Sequence, residues 1–440
     1  MEIVGTTARP RVVRTTPGAG PTIFVAIPSY RDPQLVPTVE NCIARAVRPG
    51  ALRFGICWQQ DPTDRELSFG DDKHVRVVEY HWRESRGIGW ARAQCMSLFQ
   101  GEDFYLQLDS HHRFVEGWDE KLLRCMEATG SPRPVLTSFG RNLDLSQPNV
   151  MPRALPRILF GRWDGNIPHF RPGATPVRER LNRPMRARSI SGHFCFTIGD
   201  FVGDVPCDPE IYHYGGGEIT VAVRAFTSGY DLFQPPEPIL SHAYGPRVDL
   251  AANWRKDKPD WMKLDQPSKE RIADFLTNPH LGKYGCGTAR TMADYEAYAG
   301  LSFRHCRAQD YTHLNREPPN PFSPSDWAER PQRWNVQLNL KPPGLPAGFD
   351  TARSWRVSLT DAFGSCIHEE VIGASDILRL FVAATQAIDL SFQSAREPAA
   401  WSLGADGPLG ELRVRGPVGR GTKHGQAFIK PSEWHHSAVI

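Results

Sequence analysis

The run Leu108-Asp109-Ser110-His111-His112 sets a carboxylate and an imidazole two residues apart. At the end of an extended strand, residues i and i+2 project from the same face, which places Asp109 and His111 to share one cation. A carboxylate oxygen with an imidazole nitrogen suits Mn²⁺ better than Mg²⁺ or Ca²⁺, because imidazole favours the later, softer metals. A divalent ion of this kind, bridging two phosphates, neutralises the charge that develops on a departing nucleoside diphosphate. His242, in Ser241-His242-Ala243-Tyr244 beyond the Pro235-Pro236 bend, is a candidate to complete the coordination from the far side of the sheet. Taken singly each has a plain structural alternative: Asp109 as a turn cap, His111 as a polar loop residue, His242 as a satisfied histidine.

Three further groups carry usable chemistry. Arg86, Gly87 and Arg92 surround a helix start, where glycine permits close backbone approach and arginine pairs with phosphate. Tyr30, Arg31 and Asp32 follow the first apolar run, where an aromatic ring and a carboxylate can meet the base and ribose of a nucleotide; Asp32-Pro33 is equally a turn start. Glu218 heads a helix after three glycines and is the acidic residue placed to reach an acceptor hydroxyl, although a glutamate in a first helical turn is also ordinary dipole chemistry.

The elements that must position these residues are legible from periodicity. Ile23-Phe24-Val25-Ala26-Ile27 reads as a buried strand ending in Pro28-Ser29-Tyr30-Arg31-Asp32, followed by a helix over 36–47. Strands are expected at 52–58, 75–80 and 104–108, with a helix over 90–99 between the last two. Alternation of this kind predicts an α/β fold, and Asp109 then sits at a strand's carboxyl end, where open α/β sheets bind ligands. Residues 140–190 are crowded with Pro, Arg and Gly and read as a long ordered insertion or lid. A strand at 194–198, a helix at 218–228 and a strand at 231–233 follow.

The domain plan expected is a mobile leader at 1–21, a catalytic domain at 22–315, a Pro-dense linker at 316–332 and a β-rich accessory domain at 333–440. In the last, short β-rich runs at 334–340, 354–359, 367–372, 377–383 and 387–392 predict a small β-sandwich.

Composition narrows the function classes. A chain of 440 residues with 40% hydrophobic and 23% charged residues is globular and long enough for more than one unit. With 52 Lys and Arg against 49 Asp and Glu it lacks the basic footprint of a nucleic-acid binder. No stretch approaches the roughly 20 apolar residues that cross a bilayer, and no apolar signal-peptide core is seen. Nine scattered cysteines, without the close pairing of a zinc site, fit a reducing cytoplasm. Self-association is left open.

Together these segments resemble the cytoplasmic polypeptide N-acetylglucosaminyltransferase family, of the Skp1 hydroxyproline GlcNAc-transferase type. The resemblance runs from 23–32 through Gly55-Ile56-Cys57-Trp58-Gln59, Glu84-Ser85-Arg86-Gly87 and Gln107-Leu108-Asp109-Ser110-His111. It continues through Arg113-Phe114-Val115-Glu116-Gly117-Trp118-Asp119 and Arg224-Ala225-Phe226-Thr227-Ser228-Gly229-Tyr230-Asp231 to Tyr284-Gly285-Cys286-Gly287-Thr288-Ala289-Arg290, covering about residues 22–310.

The resemblance implies a GT-A fold, a mixed and mainly parallel sheet flanked by helices, with an Asp-x-His similar to that of the mucin-type polypeptide GalNAc-transferases. By that resemblance Asp109, His111 and His242 bind Mn²⁺, Tyr30, Arg31 and Arg92 lie along the nucleotide, and a retaining transfer moves GlcNAc from UDP-GlcNAc to a hydroxyl on a protein, peptide or small molecule. One departure stands out: the family reads Gly-Glu-Glu where this chain reads Gly216-Gly217-Glu218. The alternatives are a metal-dependent nucleotide-diphosphate hydrolase, in which the same ligands activate water, and a non-catalytic nucleotide-sugar or glycan-binding protein.

Overall fold

The computed structural model describes residues 20–61, 63, 74–146, 156–174, 182–212, 216–244, 250–321 and 332–339, and shorter stretches between 352 and 428. The leader expected at 1–21 lies almost wholly outside the described residues, as do most of the linker expected at 316–332 and of the run at 377–383. The chain divides into two compact units, residues 1–159, 170–304 and 317–320 forming the first and residues 160–169, 305–316 and 321–440 the second.

The first unit is built on β1 (Ile23–Tyr30), β2 (Leu52–Gln60), β3 (Val75–His81) and β4 (Phe104–Leu108). All eight residues of β1 are buried. A strand covered on both faces is expected to read as a continuous apolar run. Each of its large apolar side chains contributes about 1.5–3 kcal/mol by burial, which makes β1 a rigid axis for the loop that follows it. β1 pairs in parallel with β2 on one side and β4 on the other, and β2 with β3. Helices α1 (Leu35–Ala44) and α2 (Ile88–Ser97) connect these strands, and α3 (Trp118–Ala128) follows β4 and the short β5 (His112–Phe114).

β6 (Pro134–Thr137), the two-residue β7 (Arg141–Asn142) and a hairpin of β8 (Pro156–Asp164) and β9 (Ile167–Ala174) come next. Strands thus fill part of the Pro- and Gly-dense stretch that hides periodicity in the sequence. Beyond β10 (Met185–Arg186) and β11 (Phe194–Ile198), the helices α4 (Phe201–Asp204) and α5 (Gly216–Thr227) lead to β12 (Asp231–Gln234) and β13 (Leu240–His242).

The main sheet has eight strands in the order β10-β12-β6-β11-β4-β1-β2-β3. β11 is antiparallel to both β4 and β6, while β12 runs parallel to β6. This mostly parallel sheet with helices is a mixed α/β arrangement, as the alternation of strands and helices in the sequence predicts. A second, three-stranded sheet, β5-β13-β7, pairs His242 directly opposite His112. α6 (Leu250–Asp257), α7 (Trp261–Thr277) and α8 (Met292–Ala299) complete the unit's longer helices.

The second unit is β-rich. A three-stranded sheet contains Gln332–Asn339, Ala387–Ser394 and Gln426–Phe428, and a six-stranded sheet contains Ser354–Thr360, Cys366–Gly373, Ala400–Gly407 and Gly410–Pro417 with the β8–β9 hairpin. Val336, Leu338, Trp355, Val357, Leu390 and Leu403 form its core. Among the described residues no helix is long and apolar enough to cross a membrane. None of the nine cysteines is in a disulfide, and seven are buried.

Candidate active site

β4 delivers the chain to Asp109 as a buried apolar run whose backbone is pinned on both sides by β1 and β11. Asp109, Ser110 and His111 then form the bend between β4 and β5, where an extended strand end was expected. The bend is held by α1: Thr38 Oγ1 donates to the Ser110 carbonyl at 2.8 Å and accepts from the His112 amide at 3.0 Å. His242 arrives from β13 by strand pairing, because its register opposite His112 sets it beside His111.

One ligand atom from each of Asp109, His111 and His242 lies within 4.8 Å of the others, a span that a single cation can bridge. Among the described residues this is the one such group of three. His242 Nε2 stands 3.5 Å from Asp109 Oδ2, too long for a good hydrogen bond. Neither ring nitrogen of His242 has a hydrogen-bond partner among the described residues, although the side chain is only 8% exposed. Buried polar atoms are ordinarily paired, so an imidazole left with both nitrogens unsatisfied fits a metal ligand. The donor set of one carboxylate and two imidazoles suits a mid-series divalent ion such as Mn²⁺.

The ring of His242 is enclosed by those of His111 at 4.5 Å, His112 at 4.9 Å, His193 at 4.3 Å and Tyr244 at 4.2 Å between centroids. Gly140 backs this stack so closely that a Cβ there would lie 2.5 Å from His242 Cβ. Burial first, then mutual repulsion with neighbouring imidazoles, holds His242 below the usual histidine range and His112 and His193 well below it. Neutral rings are the form that binds metal. At Asp109 burial opposes the charge, but His242, Arg92 and His111 outweigh it and hold the carboxyl well below the usual carboxylate range.

Arg92, on α2, lies 3.4 Å from Asp109 Oδ1. Its guanidinium rests on Gly192, where an added Cβ would come within 2.7 Å of Arg92 Nη2. The Gly192 amide donates to Glu218 Oε1 at 2.5 Å, and its carbonyl accepts from Gln107 Nε2 at 2.7 Å. Burial raises the Glu218 carboxyl to about 7, with the Gly192 hydrogen bond and Arg92 pulling it back and Asp109 adding to the rise. Asp109, His111, His242, Arg92 and Glu218 therefore form one connected cluster. At Gly217 a Cβ would meet only Ile211 Cγ2, at an ordinary 3.5 Å, so packing at that first atom does not compel the glycine.

Tyr30 and Arg31 form a separate corner. Tyr30 Oη donates to Asp257 Oδ2 at 2.9 Å, and Arg31 Nη1 lies 3.1 Å from the same oxygen while its guanidinium sits 5.2 Å from the centroid of Trp82. Arg31 has φ +49°, a left-handed conformation that few non-glycine residues adopt and that clusters at functional sites. Arg86 is exposed in the segment before α2. Asp32, read from the sequence as a nucleotide contact or turn start, is turned toward His111. Gly140, Gly192, His112, His193 and Tyr244 were not singled out by local sequence reasoning; the Ser189-Ile190-Ser191-Gly192-His193 stretch offered only an unexplained Gly-His pair before a strand.

Residues 22–72 and 62–305 match the family described as Glycosyltransferase (GlcNAc). No curated protein matches. A solved structure of GalNAc-T7 with UDP, GalNAc and Mn²⁺ is similar at 15% identity and a TM-score of 0.38, covering 66% of this chain and 56% of that one. S. aureus TarS 1–349 in complex with UDP-GlcNAc is similar at 11% identity and a TM-score of 0.39, covering 60% of this chain and 68% of that one. The present chain thus spans little more than half of GalNAc-T7. The family match takes in the whole of β1 to β13 and every residue of the cluster around Asp109, and on it the chain belongs to the Glycosyltransferase (GlcNAc) family.

Proposed function

We propose that this glycosyltransferase moves GlcNAc from UDP-GlcNAc to a hydroxyl acceptor, with retention at the anomeric carbon and with Mn²⁺ held by Asp109, His111 and His242. The observation that carries the reading is the convergence of those three ligands, His242 with both nitrogens unsatisfied, at the carboxyl end of β4. A bound divalent ion supplies charge neutralisation for the departing diphosphate.

The chain's own residues do the rest. Arg92 is a fixed cation beside Asp109, able to pair with a phosphate oxygen as the sugar–phosphate bond breaks and UDP leaves with the electron pair. Tyr30 and Arg31, at the end of β1, line the nucleotide; Arg86 reaches the phosphates from the segment before α2. Glu218 orients the acceptor hydroxyl and takes its proton as the new C1–oxygen bond forms on the same sugar face. A carboxyl raised to about 7 is poised for that exchange near neutral pH. A hydroxyl on a protein, a peptide or a small molecule meets the same chemical requirement. The free cysteines fit action in the cytoplasm. Residues 22–315 carry the chemistry in this reading and residues 333–440 are accessory.

The test is UDP release from individual UDP-sugars with Mn²⁺ or EDTA, alongside Asp109→Asn. Release with UDP-GlcNAc alone, lost in EDTA and lowered at least about a thousandfold in Asp109→Asn, is expected. Turnover indifferent to EDTA and to Asp109→Asn removes the metal assignment, and preference for another UDP-sugar removes the donor assignment.

A further inference from the structure

Asp32 lies two residues beyond β1 and is not among the three converging ligands, yet its carboxylate is only 1% exposed and faces His111. Oδ2 is 2.8 Å from His111 Nδ1 and accepts from Ser110 Oγ at 2.5 Å, while Oδ1 accepts from the Gln34 amide at 2.9 Å. Both oxygens of Asp32 already accept hydrogen bonds, Oδ2 from Ser110 and Oδ1 from Gln34, so the hydrogen of the Asp32–His111 contact is assigned to the ring. In a neutral imidazole protonated at Nδ1, the lone pair is on Nε2.

We infer that Asp32 is a positioning residue that fixes His111 as the Nδ1-protonated tautomer and so commits Nε2 to the divalent ion. This deepens the proposed function and rests on its metal assignment. The same oxygen binds Ser110, the residue between two of the ligands, so one carboxylate sets both the ring orientation of His111 and the bend that carries Asp109. Thr38 holds the backbone of that same bend through the Ser110 carbonyl and the His112 amide. A carboxylate behind a metal-bound histidine also raises the basicity of the coordinating nitrogen.

Mn²⁺ titration of the full chain, followed by the electron-spin resonance of free Mn²⁺, tests this without reference to turnover. In Asp32→Asn one carboxylate oxygen becomes an N–H donor, facing either the Gln34 amide or the His111–Ser110 pair. Mn²⁺ affinity is expected to fall about 10- to 100-fold, and Asp109→Asn in parallel is expected to abolish binding. Loss in Asp109→Asn with wild-type affinity in Asp32→Asn overturns the role of Asp32 alone, whereas wild-type affinity in Asp109→Asn overturns the metal assignment and this inference with it. The wild-type protein supplies a second measurement should Asp32→Asn fail to fold. Long-range ¹H–¹⁵N spectra of ring-labelled, metal-free protein, with His111 assigned by its loss in His111→Gln, are expected to show Nδ1–H. An Nε2–H tautomer overturns the inference.

Discussion

The Asp109 cluster and the Tyr30–Arg31 corner both stand at the carboxyl ends of central parallel strands, and they treat their polar groups in opposite ways. In the corner, Tyr30 Oη and Arg31 Nη1 converge on one oxygen of Asp257, 226 residues or more along the chain. Around Asp109 the nearest cation and imidazole stand off at 3.4 and 3.5 Å, and His242 and His112 each retain a buried nitrogen with no hydrogen-bond partner among the described residues. An unsatisfied buried polar atom costs about 1–3 kcal/mol. The fold carries that cost at one site and avoids it at the other. The difference teaches that the corner has supplied its own countercharge in Asp257, whereas the Asp109 cluster, on the proposed function, takes one from outside.

Glu218 gives the largest expected effect on that contrast, since in the proposed mechanism it links the cluster to the acceptor. Glu218→Gln keeps the shape and an acceptor for the Gly192 amide but cannot take a proton. Its kcat is expected to fall about 10²- to 10⁴-fold, with UDP affinity unchanged. A kcat within a few-fold of wild type places proton removal elsewhere.

The neutral rings behind the proposed metal ligands give the next effect. His112 and His193 are pushed well below the usual histidine range by burial, so between that low folded value and 6.5 the unfolded chain binds protons that the native chain does not. Their contribution is present in full above pH 6.5 and is lost as pH falls below it, by about 1.4 kcal/mol per pH unit for each group. Glu218 acts with the opposite sign, because a carboxyl raised from 4.5 to about 7 costs stability as pH rises through that interval. Melting of metal-free Glu218→Gln between pH 8 and pH 5.5 isolates the histidines. The melting temperature should drop below pH 6.5, and the double variant with His193→Gln should show a shallower slope. Equal slopes would mean that His193 is charged in the folded protein.

Much of this site was legible in the sequence because its anchors are local. The apolar run 104–108 announces a buried strand, and Asp109 and His111 follow it directly. Glu218 stands in the first turn of a helix that periodicity reveals. What was hidden depends on pairings across long stretches of chain. Asp32 meets His111 across 79 residues, and nothing near Asp32-Pro33 distinguishes a clamp on a histidine from a turn. Gly192 and Gly140 matter because a guanidinium and an imidazole pack onto them from elsewhere, which one sequence does not show. β5, β7 and β13 are two or three residues long, below any readable period, although their register is what brings His242 to His111. The strands of the 156–174 hairpin were masked by Pro, Arg and Gly, and the partner of Arg162 in their sheet is the distant Cys366.

The smallest expected effect probes the corner itself. If Tyr30 and Arg31 line the nucleotide, Asp257 competes with the donor for the same groups, and its removal should help binding. The competition is weak: the Arg31 and Asp257 side chains are 34% and 25% exposed, and ion pairs of that exposure contribute about 0.2–1 kcal/mol. Asp257→Ala should therefore tighten UDP binding by only about 1.4- to 5-fold, with Mn²⁺ affinity unchanged because Asp109, His111 and His242 are untouched. Isothermal titration with UDP in EDTA isolates the corner from the metal. Weaker UDP binding in Asp257→Ala would reverse the comparison, making Asp257 a support that holds Tyr30 and Arg31 in place for the nucleotide. Arg31 would then owe its left-handed backbone to that support, and Arg31→Gly, which accepts φ +49° without strain, would lose affinity through the side chain alone.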